Sequence, residues 1–132
     1  MSHYHAVVWL DHAEARVFQF NREEAEKFTV HGHKHHLHHK AGQPGAGKQA
    51  IDTGFFDAIA ASLDGSGEIL VLGPGNAKLE FIRYAHRAKP QLEARIAGVE
   101  TVDHPTDGQI VAYARKYFIA EDRMRPLLAQ PA

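Results

Sequence analysis

The amino-acid sequence predicts an α/β fold: a mixed β-sheet of about five strands with helices on both faces. Three observations lead there. Short runs rich in Val, Phe and Trp crowd the N-terminal quarter, apolar residues recur at helical spacing in three later stretches, and compact apolar strands separate those helices. The order is three strands, a long loop, then helix, strand, helix, strand, helix. That order predicts an antiparallel meander joined to parallel strands by right-handed crossovers.

His5 to Leu10 and Ala15 to Phe20 flank Asp11 to Glu14 and read as a hairpin, with Phe28 to His31 as a third strand. Ile51, Phe55, Ile59 and Leu63 recur every four residues, the stripe of an amphipathic helix that Asp64-Gly65-Ser66-Gly67 stops. Ile69 to Leu72 is a compact apolar strand. After Gly73-Pro74-Gly75, Asn76 is placed as a helix N-cap, with Leu79, Ile82 and His86 forming one helical face until Pro90. A last strand is expected near Val99 to Val102. Thr106-Asp107-Gly108-Gln109 is a capping box opening a helix that turns Ile110, Ala114, Tyr117 and Phe118 inward. From Arg123 to Ala132, with two prolines, an extended or frayed tail is expected. Residues 1–122 therefore read as one domain and 123–132 as its tail.

The bulk properties narrow the class. A chain of 132 residues with 44% hydrophobic composition supports one core. Fifteen basic against sixteen acidic residues leave a formal charge of -1, so local distribution must decide whether a polyanion binds. The absence of cysteine excludes disulfides, thiolate nucleophiles and cysteine-based metal sites. No apolar run approaches the roughly 18 residues that span a bilayer, and the N-terminus lacks the pattern of a signal peptide. A soluble cytoplasmic protein without a membrane partner is expected.

Residues 31–49 cannot be explained by packing. They hold six of the eleven histidines, His31, His33, His35, His36, His38 and His39, with Lys34, Lys40, Lys48 and several glycines. Such a run buries too little apolar surface to offset ordering entropy, so an exposed loop is expected. With a reference pKa of about 6.5, histidine makes it a pH-tunable cation.

Three chemistries compete for this and neighbouring segments. His33, His35, His36, His38 and His39 are weak metal candidates, but no carboxylate between Val30 and Lys48 can orient them, so adventitious zinc or nickel affinity and no true cofactor is expected. Gly42 to Lys48 follows phosphate-loop spacing yet ends in Gln49, where the motif needs a hydroxyl for magnesium. Gly73 to Lys78 reads as a strand-to-helix turn, or more sharply as an anion site that Lys78 assists and Arg83 and Arg87 extend. His12 beside Asp11 and Glu14 could be a carboxylate-oriented base, although a turn accounts for all three. His86 reads as a boundary histidine and Asp103-His104 as a strand end.

The succession Asp11-His12-Ala13-Glu14-Ala15-Arg16-Val17-Phe18, Glu26 to Val30, a basic glycine-containing loop, LVLGPGNAKLEF and ARIAGVETVD resembles the middle domain of the eukaryotic and archaeal release factor and Pelota family. The resemblance covers roughly Ala6 to Phe118, and its most specific piece is Leu72 to Phe81. It implies a three-layer mixed sheet of ribonuclease H-like topology whose loop after the third strand enters the peptidyl transferase centre. Here the histidine segment occupies that place. In release factors the loop ends in Gly-Gly-Gln, whose glutamine positions water against the peptidyl-tRNA ester. This chain has Ala41-Gly42-Gln43, so only Gly42 and Gln43 match as catalytic candidates, and Pro44 restricts Gln43 toward extended geometry.

The resemblance implies a bacterial-type, stand-alone translation protein acting in ribosome rescue or hibernation. Its partners would be the ribosome, rRNA or tRNA, together with a protein supplying the missing domains. His33, Lys34, His35, His36, His38, His39, Lys40 and Lys48 would contact phosphates, and Lys78, Arg83 and Arg87 would add a second contact. The alternatives are ester hydrolysis through Gln43, and metal binding by the histidines.

Overall fold

A computed structural model describes residues 4–32 and 53–129, with side chains described through residue 120. Three strands come first: β1 (His5–Leu10), β2 (Glu14–Phe20) and β3 (Ala25–His31). Then follow α1 (Thr53–Ser62), β4 (Glu68–Gly73), α2 (Ala77–Ala88), the short α3 (Pro90–Glu93), β5 (Ile96–Thr101) and α4 (Asp107–Ala129). The strands form one sheet in the order β3-β2-β1-β4-β5. β1 is antiparallel to β2, β2 to β3, and β1, β4 and β5 run parallel. The expected five-stranded α/β architecture is the observed one.

β1 and β4 lie at the centre, and both faces of each are covered, so their sequences are nearly continuous apolar runs rather than alternating ones. Ala6, Val8 and Leu10 with Ile69 and Val71 pack under α1, α2 and α3 against Phe56, Ile59, Phe81 and Leu92. Val7 and Trp9 with Leu70 and Leu72 face α4, meeting Ile110, Ala114 and Phe118. Three layers follow from a two-residue period applied to strands that are apolar throughout.

The ends of the elements obey local chemistry. Gly65, at φ 90°, closes α1 in a backbone region that favours glycine. Gln19, buried within the sheet, donates from Nε2 to the Ser62 carbonyl at 2.8 Å and satisfies one of α1's terminal acceptors. The capping box at α4 closes in both directions: Gln109 N donates to Thr106 Oγ1 at 3.1 Å, and Thr106 N to Gln109 Oε1 at 2.9 Å.

Several expectations are corrected. β3 begins at Ala25, not Phe28, because an exposed edge strand pairs through its backbone and needs no apolar run. The last strand is Ile96–Thr101, three residues earlier than its start was placed. The buried face of α2 is Ala77, Lys78, Phe81, Tyr84 and Ala85, whereas Leu79 is 42% exposed and His86 lies in solvent. Asn76 makes no side-chain cap, and its carbonyl accepts from Leu79 N and Glu80 N instead. The chain from Arg123 continues as helix to Ala129 rather than extending.

Candidate nucleic-acid interface at the carboxyl edge of the sheet

Strand directions gather the connections that carry chemistry at one end of the molecule. β1, β3, β4 and β5 all point their carboxyl ends to the same edge. There lie the turn after β1, the residue that leaves β3, the turn between β4 and α2, and the segment leading into α4. The chain departs from β1 toward β2 on one side and from β4 toward β5 on the other, so a topological switch point falls between β1 and β4. Open α/β sheets place ligands at such a point.

The backbone at this crevice is tightly set. A Cβ on Gly73 would lie 2.3 Å from the Leu10 carbonyl oxygen, so glycine is required for β4 to pass β1 this closely. Asp11 Oδ1 accepts from Ala13 N at 2.8 Å and Glu14 N at 2.9 Å, an Asx turn that shapes the hairpin. Ala13 O in turn accepts from Gly32 N at 2.7 Å, which pins the end of β3 to that hairpin.

Charged pairs tie the connections to one another. His12 Nε2 lies 3.0 Å from Glu80 Oε1, so its carboxylate partner is Glu80 on α2 rather than Asp11 or Glu14. His104 Nδ1 lies 2.9 Å from Asp103 Oδ1, its Nε2 is 3.7 Å from Asp11 Oδ2, and its ring rests 5.1 Å from that of Trp9. The Trp9 indole donates to the Asp103 carbonyl at 2.7 Å, and the Arg16 guanidinium sits 4.6 Å over the same ring.

Asp107 completes the set by accepting from Arg16 Nη1 at 2.9 Å and Lys27 Nζ at 2.7 Å. The Lys27 hydrogen bond, helped by Arg16 against a smaller desolvation effect, holds the Asp107 carboxyl below the usual range. Stability from this group is present above the ordinary carboxylate pKa and is lost as pH falls through the lowered folded value. Asp107→Asn is expected to cost up to about 1 kcal/mol at pH 7, the pair being part-exposed. It is also expected to flatten the stability curve below about pH 4. Urea denaturation at several pH values checks this, and an unchanged acid limb would contradict it.

The structure distributes the expected site residues unevenly. Gly42, Gln43, His33, Lys34, His35, His36, His38, His39, Lys40 and Lys48 lie outside the described residues. Lys78 is corrected as an exposed contact: it is 6% exposed, and its ammonium donates to the Gly75 carbonyl at 2.6 Å across the turn. Arg83 and Arg87 are exposed on α2, as expected. No group of histidines and carboxylates among the described residues could hold a metal ion. No helix among them is long and apolar enough to cross a membrane. The ties of Asp107 to Arg16 and Lys27 span about two thirds of the chain, and no local sequence signal reveals them.

No protein-family model matches the chain, and no curated protein sequence does. Solved structures do. Pelota from Archaeoglobus fulgidus superposes with a TM-score of 0.62 over 91% of this chain at 16% identity. Pelota from Thermoplasma acidophilum gives 0.56 over 97% at 23% identity, and the archaeal translation termination factor aRF1 gives 0.60 over 96% at 15% identity. The fold is Pelota-like and release-factor-like. The chain spans 34%, 35% and 41% of those three proteins, so it corresponds to a part of each. At these identities the likeness establishes the fold alone.

Proposed function

We propose that this chain is a translation-associated, RNA-binding domain equivalent to the middle domain of Pelota and release factors. It would engage the ribosome or tRNA through residues 31–49. The observation that carries the reading is the fold shared with two Pelota proteins and with the termination factor aRF1 over at least nine tenths of the chain. The composition of the segment supports it. Lys34, Lys40 and Lys48 supply permanent charge and the histidines supply charge that grows as pH falls, which suits sequence-independent attachment to phosphates. Gly32, near the start of the segment, is hydrogen-bonded to the β1–β2 hairpin, so a ligand held by the segment would meet the carboxyl edge of the sheet.

The proposal is for a protein of the translation machinery that acts in ribosome rescue or hibernation. Gradient fractionation of a cell extract tests it. The intact chain is expected to migrate with ribosomal particles at low salt; recovery only in the free-protein fractions would overturn the reading. Ester hydrolysis through Gln43 remains a second reading because Gly42-Gln43 matches two of the three residues of the release-factor tip. A peptide-release assay separates the two, since Gln43→Ala abolishes release only if that glutamine acts on the ester.

A further inference from the structure

We infer that the outer face of α2, centred on Arg83 and Arg87, is a second phosphate-binding surface that holds a single-stranded RNA segment running from the carboxyl edge down the length of the helix. This rests on the reading above for its choice of polyanion.

Arg83 and Arg87 stand one turn apart and are exposed, and Lys89 follows at the end of the helix, also exposed. Among the described residues none of the three has an ion pair or hydrogen bond from its side chain. Free cations on a helix commonly find a carboxylate three or four residues away. Here the two nearby carboxylates are drawn elsewhere. Glu80 is held by His12 at 3.0 Å, and Glu93 by His86 Nδ1 at 3.1 Å. The arrangement leaves the arginines available to an external anion.

Geometry favours a chain of phosphates over one isolated ion. Four residues of helix advance about 6 Å along the axis, so Arg83 and Arg87 can each meet a separate phosphate. Leu79, one turn earlier on the same side and 42% exposed, offers apolar surface to a base or ribose. The surface begins where α2 leaves the Gly73-Pro74-Gly75 turn, at the same edge as Gly32. It ends past Lys89, where a groove of about 630 Å³ brings Asp57 and Asp64 opposite Lys89 and Arg95 and the positive charge is no longer continuous.

Two attachment points, the segment that follows Gly32 and the stripe that runs down α2 from the same edge, act on a single polymer by effective concentration, so each strengthens the other. The test uses the full chain, labelled polyuridylate as the probe and fluorescence anisotropy across a salt series. Arg83→Gln with Arg87→Gln is expected to bind about 25-fold more weakly at 0.1 M salt and to reduce the slope of log affinity against log salt by about 1.4. Arg83→Glu with Arg87→Glu is expected to lose more. A control, Arg22→Gln with Lys116→Gln, makes the same change in net charge at exposed positions on other elements and is expected to shift affinity less than about threefold. Equal weakening by the stripe and control variants would overturn the inference, and so would polyglutamate binding as tight as polyuridylate binding.

Ribosome pelleting separates this inference from the broader reading. If the intact chain pellets with ribosomes while the stripe variant keeps wild-type affinity for polyuridylate, the stripe fails and the translation reading stands. If the intact chain does not pellet but the stripe variant loses polyuridylate affinity as expected, the translation reading fails and the stripe stands.

Discussion

Trp9→Ala is expected to cost about 3–5 kcal/mol of stability and to lower Tm by roughly 10–20 °C. Trp9 is fully buried at the centre of the sheet, where truncation leaves a cavity that Val7, Leu72 and Ile110 cannot fill without moving the strands. The indole also does what no aliphatic residue can. It donates to the Asp103 carbonyl at 2.7 Å and carries the Arg16 guanidinium on one side and the His104 ring nearby. Its loss therefore removes a core side chain and unseats the connection from β5 to α4 that holds Asp107 against Lys27. Trp9→Phe keeps most of the volume and gives up the hydrogen bond, so it is expected to cost much less. Thermal denaturation followed by circular dichroism checks both, and a Tm for Trp9→Ala within about 3 °C of wild type would contradict the packing described.

The second large effect is on binding. Replacing residues 33–49 by an uncharged Gly/Ser linker of equal length leaves loop-closure entropy nearly unchanged. It is expected to leave Tm within a few degrees of wild type and to weaken binding to single-stranded RNA about 100-fold at 0.1 M salt. Three lysines account for that figure, since each phosphate neutralised on a single strand contributes about 0.7 to the salt slope. Below about pH 6.5 the histidines add charge, so the gap between the two proteins is expected to widen as pH falls. Anisotropy titrations at pH 6 and pH 8 check this. Equal affinities for the two proteins at both pH values would show that the segment is not the RNA contact.

Much of the fold was legible in the sequence because its strongest signals are local. The apolar runs of β1 and β4, the Asp11 turn, the glycine stop after Leu63 and the Thr106–Gln109 box each depend on residues within a few positions. What was misplaced depended on phase or partner. Leu79 and Lys78 adjoin, and a shift of one residue in reading the α2 face exchanges an exposed leucine for a buried lysine whose charge is met by the Gly75 carbonyl. β3 opens on Ala25-Glu26-Lys27, exposed and without an apolar run, and reads as a loop there until its pairing with β2 is seen. Within the candidate interface, Arg83 and Arg87 were legible as exposed cations. That they are free was not, because it depends on His12 reaching Glu80 from 68 residues away and on α3 turning Glu93 toward His86.

The tyrosines show the same dependence on distant partners. Tyr84, nearly wholly buried, has its hydroxyl pushed up to about 12 by burial first and by its hydrogen bond to Asp57 second. Asp57 belongs to α1 and Tyr84 to α2, so this contact joins two helices of one layer. Tyr113 on α4 is raised in the same direction, by its hydrogen bond to Glu100 on β5 before burial. These interhelix and helix–strand bonds fix the layers that present Arg83, Arg87 and the carboxyl edge.

Co-sedimentation of the intact chain with purified ribosomes across a salt series at pH 6.5 tests the central claim most directly. The account predicts pelleting at 50 mM salt and a log affinity that falls linearly with log salt at a slope of about −2 or steeper. Absence of pelleting at 50 mM salt, or pelleting that salt does not weaken, would contradict it.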